Sequence, residues 1–407
     1  MAYIPLKKLY YENPQIYKDT YESRYSYEST VHLDFEINEV PAFFCQSSDV
    51  ISKMYDILRL NEQVLAYTMQ LPMEAGIQYQ NQCLIGEIVT SNQIEGVHST
   101  RKEIGEVLQS LEKQTERKGK KRRFTAIVSK YQKLQHGEHS VLMTCQDVRD
   151  LYNELLLDEV IQENPDNKPD GEIFRKDMTE IQSVTGKSVH HGAYPERAII
   201  EKMSQALSFL QNPSIEILYR ACIFHYLIEY IHPFYDGNGR LGRFILSDYL
   251  AQNLNPLVAY RISQTILTNR SAYYDAFTAC NDPRNKGDLT PFLLMLLEMI
   301  RQSMRNLKDS LKQKWLQLQQ YCNLIAALPH GVESGMPELY EFLIMASLFT
   351  DIGISCTDLQ RLTGFGESKV RDRLSQIPEN LLCISKEGRK KFYKINTRVL
   401  DEKIHQN

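Results

Sequence analysis

The chain has 407 residues, 43% of them hydrophobic, which is enough for two or three packed units with hydrophobic cores. With 47 basic and 51 acidic residues the formal net charge is −4, which excludes a globally basic nucleic-acid binder but not a local basic patch. No apolar run reaches the ~18 residues of a membrane span, no signal-peptide pattern is present, and the eight cysteines lack CxxC pairs, which predicts a cytoplasmic protein without membrane contact.

The first part of the chain predicts a surface arm followed by a group of helices. Residues 1–48 are rich in tyrosine and charge and show little helical periodicity, so we expect them to lie along the surface. From Val50 to about Gln70 apolar residues recur at helical spacing. A second helix is predicted to end at Gly96, because glycine is common just past helix C-termini. We assign residues 49–130 to this helical region.

Two segments in the middle of the chain superficially suggest nucleic-acid or nucleotide contacts. Residues 112–123, EKQTERKGKKRR, form a basic patch, but charge runs of this kind are usually solvated faces or loops. The TGKS sequence at residues 185–188 lacks a glycine that a phosphate-binding P-loop requires, because Ile181 stands there. The alternation around Val184 and Val189 instead predicts a β-hairpin.

The densest pattern is the twelve-residue stretch from 232 to 243, HPFYDGNGRLGR, which interrupts a long apolar run. Residues 213–231 are apolar almost all round, which predicts a buried central helix. Pro233 disfavours helical geometry at His232, and the glycines that follow permit a sharp turn. A second helix is predicted to begin near Asn238, with its two arginines sharing one face.

The composition of this stretch predicts an anion site with acid–base chemistry beside it. The N–H groups of the GNG sequence lie at a helix N-terminus, whose partial positive charge attracts phosphate. The candidate phosphate contacts are Gly237, Asn238, Gly239, Arg240 and Arg243. Asp236 is unsuited to phosphate but suited to the Mg²⁺ that accompanies a nucleotide, and His232 can accept a proton near neutral pH. This combination predicts attack by a hydroxyl on a nucleotide phosphate.

The helix before the motif contains a second pattern of ligand-type residues. His225, Glu229 and His232 recur at i, i+4 and i+7 on one helix face and could bind a transition metal. The HExxH pattern is absent, so His225 is more simply interpreted as a packed core histidine.

Further helices and a separate C-terminal unit follow the motif. Residues 264–277 read as one helix of the same core, and residues 289–328 predict a long helix that closes it. We therefore assign residues 131–328 to a catalytic core. Residues 329–407 contain a helix, a helix-turn-helix pattern and a strand-turn-strand pattern, which together resemble a winged helix.

Basic residues cluster on the predicted recognition helix and wing of this last unit. They are Lys369, Arg371, Arg373, Lys386, Arg389, Lys390 and Lys391. Such a surface could contact DNA phosphates. Winged helices also bind proteins, so docking of a protein target stays open.

The motif resembles the signature of the Fic family, HxFx[D/E]GNGRxxR, at every specified position. The resemblance implies a mainly α fold, with a Fic-type helical core and a small β-hairpin flap, to which this chain adds the C-terminal winged helix-turn-helix unit. Fic enzymes typically transfer AMP from ATP to a Ser, Thr or Tyr hydroxyl of a target protein. The resemblance therefore implies ATP as a substrate and a target protein as a partner.

The same resemblance implies a role for each motif residue. His232 would be the general base, Asp236 would hold Mg²⁺, and Phe234 would anchor the loop. Asn238 and the backbone of Gly237 and Gly239 would bind phosphate oxygens, and the two arginines would neutralise the β- and γ-phosphates. The related Doc-type proteins transfer a phosphate instead and usually carry Lys where this chain has Gly239, so AMP transfer is favoured.

Residues 91–96, SNQIEG, resemble the Fic inhibitory motif [S/T]xxxE[G/N]. Their place upstream of the core resembles the class with an N-terminal inhibitory helix. In this motif Ser91 is the first residue, and Glu95 would pair with Arg243 and deny it to the γ-phosphate. The simpler alternative is an exposed glutamate at a helix end.

The resemblance extends to two regions outside the motif. The predicted hairpin is similar to the Fic flap, which holds the target backbone as an added strand. The candidate target contacts there are Val184, Lys187 and Val189. Tyr273 and Tyr274 occupy a place where Fic proteins often carry aromatic residues near the nucleotide base, although core packing explains them equally well.

Three functions are compatible with the sequence. The leading one is an autoinhibited protein adenylyltransferase. The second is the reverse reaction at the same site, in which Glu95 positions a water that removes AMP from a modified protein. The third is a DNA-binding regulator whose Fic unit acts as a sensor. A homodimer that controls the inhibitory helix is compatible with each of them.

Overall fold

The computed structural model describes residues 3–112, 123–182, 188–327, 335–388 and 390–406. Most of these residues are helical, as predicted, and the strands form three small antiparallel sheets. The chain divides into two compact units, residues 1–62 with 84–305 and residues 63–83 with 306–407. The basic patch falls mostly on residues 113–122, outside the described residues, and the division into four segments stays a prediction.

The first 48 residues form more secondary structure than we predicted. They contain two helices and a β-hairpin, namely α1 (Leu6–Glu12), α2 (Pro14–Ser26), β1 (Thr30–Ile37) and β2 (Val40–Cys45). Helix α2 buries no side chain fully, so it lacks the apolar stripe that reveals a helix in a sequence. Its start is nevertheless encoded, because the Asn13 side chain accepts hydrogen bonds from two N–H groups of the first turn and Pro14 occupies the first helical position.

Six helices follow, and the first of them confirms the helix predicted from Val50 to about Gln70. They are α3 (Ser48–Gln70), α4 (Met73–Ile94), α5 (Arg101–Glu112), α6 (Thr125–Gln135), α7 (Cys145–Tyr152) and α8 (Asp158–Glu163). Helix α4 ends two residues before Gly96, whose φ of +76° is the left-handed conformation expected at that place. A π-helical turn, Asn153–Leu157, joins α7 to α8.

The predicted hairpin is present as β3 (Glu180–Gln182) and β4 (Ser188–His191), with Glu180 opposite His191. Val184 and Lys187 lie outside the described residues, and of Val189 only the backbone is described. Target contact by these three residues therefore stays a prediction.

The centre of the first unit is a helix buried on nearly every side. The helices of this part are α9 (Glu196–Gln211), α10 (Ile217–Ile231), α11 (Asn238–Asn253), α12 (Ile262–Thr268), α13 (Arg270–Cys280) and α14 (Thr290–Ala326). Helix α10 packs against α9 and α11 and buries twelve of its fifteen residues. A helix that is apolar all round has no face to offer water, so it becomes the core.

The single helix predicted over residues 264–277 is wrong, because Asn269 separates α12 from α13. Its backbone leaves helical geometry, with φ −111° and ψ 34°. Its N–H, at 3.1 Å, and its side-chain amide, at 2.9 Å, both donate to the carbonyl of Thr265, so the Asn269 side chain hydrogen-bonds to the preceding turn at the point where α12 ends.

The second unit contains the elements that we predicted for the C-terminal region, in the same order, together with a short strand, β5, and a final helix, α18, that we did not predict. The elements are α15 (Met336–Phe349), β5 (Ile354–Ser355), α16 (Cys356–Thr363), α17 (Glu367–Ser375), β6 (Leu382–Glu387), β7 (Lys390–Ile395) and α18 (Thr397–Gln406). Gly364, with φ +71°, ends α16 before the turn to α17, and the sheet has the order β5–β7–β6. Its assignment as a winged helix stays a prediction. Throughout the described ranges, the helices fall short of the length and apolar character that crossing a membrane requires.

A buried carboxylate connects the N-terminal segment to the later part of the first unit. Asp288 is fully buried, accepts a hydrogen bond of 2.5 Å from the Tyr3 hydroxyl and pairs with Arg24 at 3.2 Å. Burial raises the pKa of Asp288, an effect that its hydrogen bonds with Tyr3 and Thr290 and the charge of Arg24 oppose. The arginine therefore compensates a charge that has no access to water.

Replacing Arg24 by methionine should destabilise the first unit, because it leaves this carboxylate buried without a cation. We expect Arg24→Met to lower the free energy of unfolding by about 3 kcal/mol, measured by urea denaturation. Lys18→Met is the matched control, since Lys18 lies on the same helix in an exposed pair with Glu22 at 4.0 Å and should cost less than ~0.5 kcal/mol. Equal losses for both variants would contradict the interpretation.

Candidate active site

The loop between α10 and α11 turns sharply at two residues with left-handed backbone conformation. His232 ends α10 with φ +52°, and Gly237 precedes α11 with φ +82°. A Cβ at position 237 would lie 3.3 Å from the Tyr152 ring, so both conformation and space require glycine. For His232 the left-handed conformation is uncommon and is enforced by its surroundings.

The interior of the loop is filled by Phe234, which confirms its predicted burial. Its ring has no exposed surface and stacks on Tyr152 with the centroids 3.7 Å apart. The Asn238 side chain accepts a hydrogen bond from the Phe234 N–H at 3.0 Å and donates one to the Phe234 carbonyl at 2.8 Å. The predicted phosphate contact by Asn238 can thus come from its backbone N–H, while its side chain holds the loop in shape.

Arg243 is almost fully buried in the first two turns of α11 and is bound by the end of α4. Its Nε donates to the Ser91 hydroxyl at 3.0 Å and its Nη2 to the Ser91 carbonyl at 3.0 Å. Its Nη1 lies 2.7 Å from Glu95 Oε1. Each of the three guanidinium nitrogens is therefore engaged, and the SNQIEG segment supplies every one of these contacts.

The Glu95 carboxylate lies against the N-terminal turn of α11. A Cβ at Gly239 would come within 2.1 Å of Glu95 Oε1, so the missing side chain of this glycine makes room for the carboxylate. Burial favours a higher pKa for Glu95, but Arg243 and, to a smaller extent, Arg240 lower that pKa below its usual value. Glu95 is therefore an anion at the place where helix geometry favours an anion.

Arg240 has binding capacity that the protein leaves unused. The side chain is buried, and its Nη1 lies 3.0 Å from Glu159 Oε1. Among the residues described by the structure, its Nε and Nη2 atoms have no hydrogen-bond partner, and Nη2 is 3.8 Å from Asp236 Oδ2. A buried guanidinium with free N–H groups fits an oxygen-rich anion.

Asp236 fits the magnesium role predicted for it. Its side chain is 39% exposed, and its Oδ1 accepts a hydrogen bond from the Gly237 N–H at 2.6 Å. In the described part of the chain no three His, Cys, Asp or Glu side chains are grouped to hold a metal. A single carboxylate suffices for Mg²⁺ when substrate phosphates supply further oxygens, and Asp236 is a carboxylate of this type at the edge of the anion site.

Two of the three residues of the transition-metal alternative, His225 and Glu229, are buried close together beside Gly242. His225 Nε2 lies 2.6 Å from the Tyr273 hydroxyl, and burial, with the charge of Arg243, lowers the pKa of His225 to about 3. Burial, with the charge of Glu95, raises the pKa of Glu229 to about 8. Both groups are consequently neutral at pH 7, which agrees with a packed histidine.

The two tyrosines predicted near the nucleotide base lie in different surroundings. Tyr273 is only 3% exposed and is bound to His225, so it belongs to the core. Tyr274 is 38% exposed, and its ring lies 5.6 Å from the Arg270 guanidinium. Of the pair, Tyr274 is the accessible one.

Several residues that hold the site were not predicted from the sequence. Glu159 pairs with Arg240, and Arg123 donates to Glu159 at 3.3 Å and to the His98 carbonyl at 3.1 Å. Arg270 donates to the carbonyl of Ile94 at 3.0 Å and so holds the end of α4. These contacts join residues that are far apart in the sequence, so no local sequence pattern predicts them.

Glu229 should make stability depend on pH, because it keeps its proton only while buried. The unfolded chain releases this proton near pH 4.5 and the folded chain near 8, so the free energy of unfolding falls as pH rises through this window. Glu229→Gln replaces this titrating group with a neutral amide. The free energy of unfolding of the variant, relative to wild type, should therefore increase by up to ~1.4 kcal/mol for each unit by which pH rises through the window. Urea denaturation at pH 5, 6.5 and 8 measures this difference. Glu201→Gln, at an exposed position of α9, is the control, and a constant difference for Glu229→Gln would contradict the prediction.

Comparisons with known proteins agree with this geometry. Residues 142–250 match the family described as Fic/DOC. The chain is 41% identical over 71 residues to a probable protein adenylyltransferase of Aquifex aeolicus, covering 17% of this chain and 20% of that one. It is 25% identical over 179 residues to the protein adenylyltransferase Fic of Drosophila mojavensis, covering 42% and 32%. The chain thus spans about a third or less of the length of these relatives.

A solved structure shares the fold. It is a Fic family protein from Desulfovibrio desulfuricans, with a TM-score of 0.51 at 20% sequence identity, and the match covers 86% of this chain and 96% of that one. The matched family segment includes the whole HPFYDGNGRLGR motif and the hairpin before it. Residues 142–250 of this chain are therefore similar in sequence to the Fic/DOC family, and the chain shares the fold of a solved Fic family protein.

Proposed function

We propose that this chain is a protein adenylyltransferase that transfers AMP from ATP to a Ser, Thr or Tyr hydroxyl of a target protein. The observation that carries the proposal is the convergence of His232, the N-terminus of α11 and two buried arginines on one loop. The names of the relatives, protein adenylyltransferases, support the same reaction. A cytoplasmic location, where ATP is abundant, fits it as well.

In this reaction the His232 imidazole accepts the proton of the target hydroxyl. The hydroxyl oxygen forms a bond to the α-phosphorus of ATP, and the bond from that phosphorus to the oxygen bridging to the β-phosphate breaks. Pyrophosphate leaves with the electron pair, and AMP stays on the target. The proton taken by His232 balances the bond formed by the oxygen.

The protein offers the negative phosphates a preorganised surface. The first N–H groups of α11 point out of the helix end without intrahelical acceptors, and the unpartnered N–H groups of Arg240 add two donors. Asp236 would hold Mg²⁺, which when bound supplies positive charge to the phosphate oxygens. These donors face the place where charge accumulates as pyrophosphate leaves.

Glu95 restrains this activity by occupying the γ-phosphate site. Arg243 cannot bind a phosphate while Ser91 and Glu95 engage its three nitrogens, and the carboxylate itself repels the incoming anion. A preference of ~3 kcal/mol for this closed arrangement would leave only about one molecule in a hundred able to bind ATP productively. Displacement of the end of α4 would restore the site.

The same geometry favours a second function, removal of AMP from a modified protein. Glu95 is an anion beside the phosphate site, and a carboxylate there can orient a water for attack on the α-phosphorus.

The DNA contact predicted for the second unit is a further proposal. Two of the basic residues named for it already have intramolecular partners, since Lys369 lies over the Phe365 ring and Arg371 pairs with Glu367. Control of the inhibitory helix by a homodimer is likewise a proposal.

Glu95→Gly should raise AMP transfer at least tenfold, because it frees Arg243 and removes the competing anion. The assay incubates the protein with Mg²⁺ and α-³²P-ATP or γ-³²P-ATP in a lysate, and label is counted above the background that the lysate's own kinases give with the His232→Ala protein. Only the α-label should exceed that background. Gln93→Gly is the matched control, since it places glycine in the last turn of α4 at an exposed position without touching Arg243. His232→Ala in the Glu95→Gly background should abolish labelling.

Two outcomes would contradict these roles. Equal labelling by wild type and Glu95→Gly would eliminate autoinhibition by this residue. Transfer of the γ-label would show phosphate transfer in place of AMP transfer.

Removal of AMP predicts a different dependence on Glu95. Wild type should release AMP from a target premodified by the Glu95→Gly variant, and Glu95→Gln should release it at least tenfold more slowly. Chromatography of the released nucleotide measures this rate, and equal release by both proteins would eliminate a role of Glu95 in the reverse reaction.

A further inference from the structure

Arg175 is a fully buried cation that neither the motif nor the inhibitory segment involves. Its side chain has no exposed surface, and burial lowers its pKa. Among the described residues its guanidinium forms no ion pair with a carboxylate, and it donates instead to three backbone carbonyls. They belong to Asp177, Ala193 and His232. A buried charge is expensive unless every donor is satisfied, so this arrangement calls for an explanation.

The three carbonyls belong to three segments that the proposed reaction has to hold in register. Asp177 precedes β3, and Ala193 follows β4 within two residues, so they flank the hairpin on either side. His232 carries the imidazole of the general base. The Nε of Arg175 lies 2.9 Å from the His232 carbonyl, and its Nη2 lies 2.8 Å from the Ala193 carbonyl. One planar guanidinium thus connects both ends of the hairpin to the catalytic loop.

Backbone hydrogen bonds strengthen the same junction. The Arg175 N–H donates to the Pro233 carbonyl at 3.2 Å, and the Ala193 N–H donates to the Ile231 carbonyl at 2.9 Å. The hairpin base is therefore bonded directly to the residues on either side of His232. Slippage of the hairpin along the loop would break these bonds and leave the guanidinium unpaired in the interior.

Gly192 provides the space for this guanidinium. A Cβ at position 192 would lie 2.4 Å from Arg175 Nη2 and 3.0 Å from His232 Cβ. Its φ is outside the left-handed region, so the backbone itself would accept alanine. The contact with Arg175 and the loop is the reason that a side chain is excluded here.

We propose that Arg175 is a positioning residue that fixes the hairpin relative to His232, so that a hydroxyl on a polypeptide held along the hairpin meets the imidazole. The inference rests on the proposed function and adds a determinant of protein-substrate placement to it. Arg175 acts through three carbonyls at once, because the rigid fork of a guanidinium fixes both the distance and the angle between its acceptors.

The test uses two variants that disturb the junction in different ways, both in the Glu95→Gly background. Arg175→Lys keeps the charge but cannot reach three divergent carbonyls, and Gly192→Ala keeps the arginine but displaces its guanidinium. We expect kcat for AMP transfer to the target to fall about 100-fold in each, the effect of a misplacement of about 1 Å. The KM for ATP should change less than threefold, because the phosphate contacts lie on α11.

Lys176→Met is the matched control, since it removes the neighbouring cation from an exposed position and should leave kcat unchanged. Free guanidinium added to the Arg175→Ala variant should raise its kcat at least tenfold, because the ion fills the site that the arginine side chain occupies in wild type. Unchanged kcat in both Arg175→Lys and Gly192→Ala would overturn the proposal. Equal changes in kcat and in the KM for ATP, without rescue by guanidinium, would also overturn it, because they indicate a general loss of structure.

A readout independent of activity separates this proposal from the proposed function. Hydrogen exchange followed by mass spectrometry should accelerate at least tenfold over residues 188–193 and 232–237 in Arg175→Lys and Gly192→Ala, with the peptide covering residues 84–96 unchanged. If the Glu95→Gly parent transfers no AMP, the proposed function fails, and this exchange pattern alone decides the role of Arg175. Unaltered exchange over both segments would overturn the junction.

Discussion

Arg243 carries a charge that has almost no access to water, and the arrangement of the catalytic domain follows from the need to balance it. In this structure Glu95 and Ser91 supply that balance from the end of α4. A phosphate could supply it equally well, because a guanidinium binds both kinds of oxygen anion in similar geometry. In the proposed function, competition between the Glu95 carboxylate and a nucleotide for this buried cation would link the end of α4 to the chemistry of the loop.

Arg240 and Arg175 show two further ways of burying a cation. Arg240 is only partly satisfied, since Glu159 binds one of its nitrogens and other N–H groups stay unused, which suits a residue that awaits a ligand. Arg175 is satisfied by carbonyls alone, which suits a residue that joins segments of backbone. The number and type of partners thus distinguish a binding arginine from a positioning one in the same domain.

Much of the site was predictable because its demands are local. Gly237 has to adopt a left-handed conformation, Phe234 has to fill the loop, and α11 has to begin directly after the turn. Each requirement is met by a particular type of residue, which can be recognised in the sequence. The pairing of Glu95 with Arg243 was predictable only through resemblance to a family, since the two residues are distant in the chain. The break at Asn269 and the helix α2 were missed because neither leaves a pattern of apolar residues in the sequence. At both places a side chain forms hydrogen bonds with the backbone instead.

The sequence by itself determined a mainly helical protein with a sharp glycine-containing turn before α11, because periodicity and the special residues of turns act over a few positions. Tertiary structure alone decided what surrounds the charges. The most distant of the three carbonyls that hold Arg175, that of His232, is 57 positions away, and the carboxylate that holds Arg240 is 81 positions away. Burial decides the protonation of Glu229 in the same way. Such contacts depend on how the helices pack, because packing determines which polar groups lie close enough to pair with a buried charge.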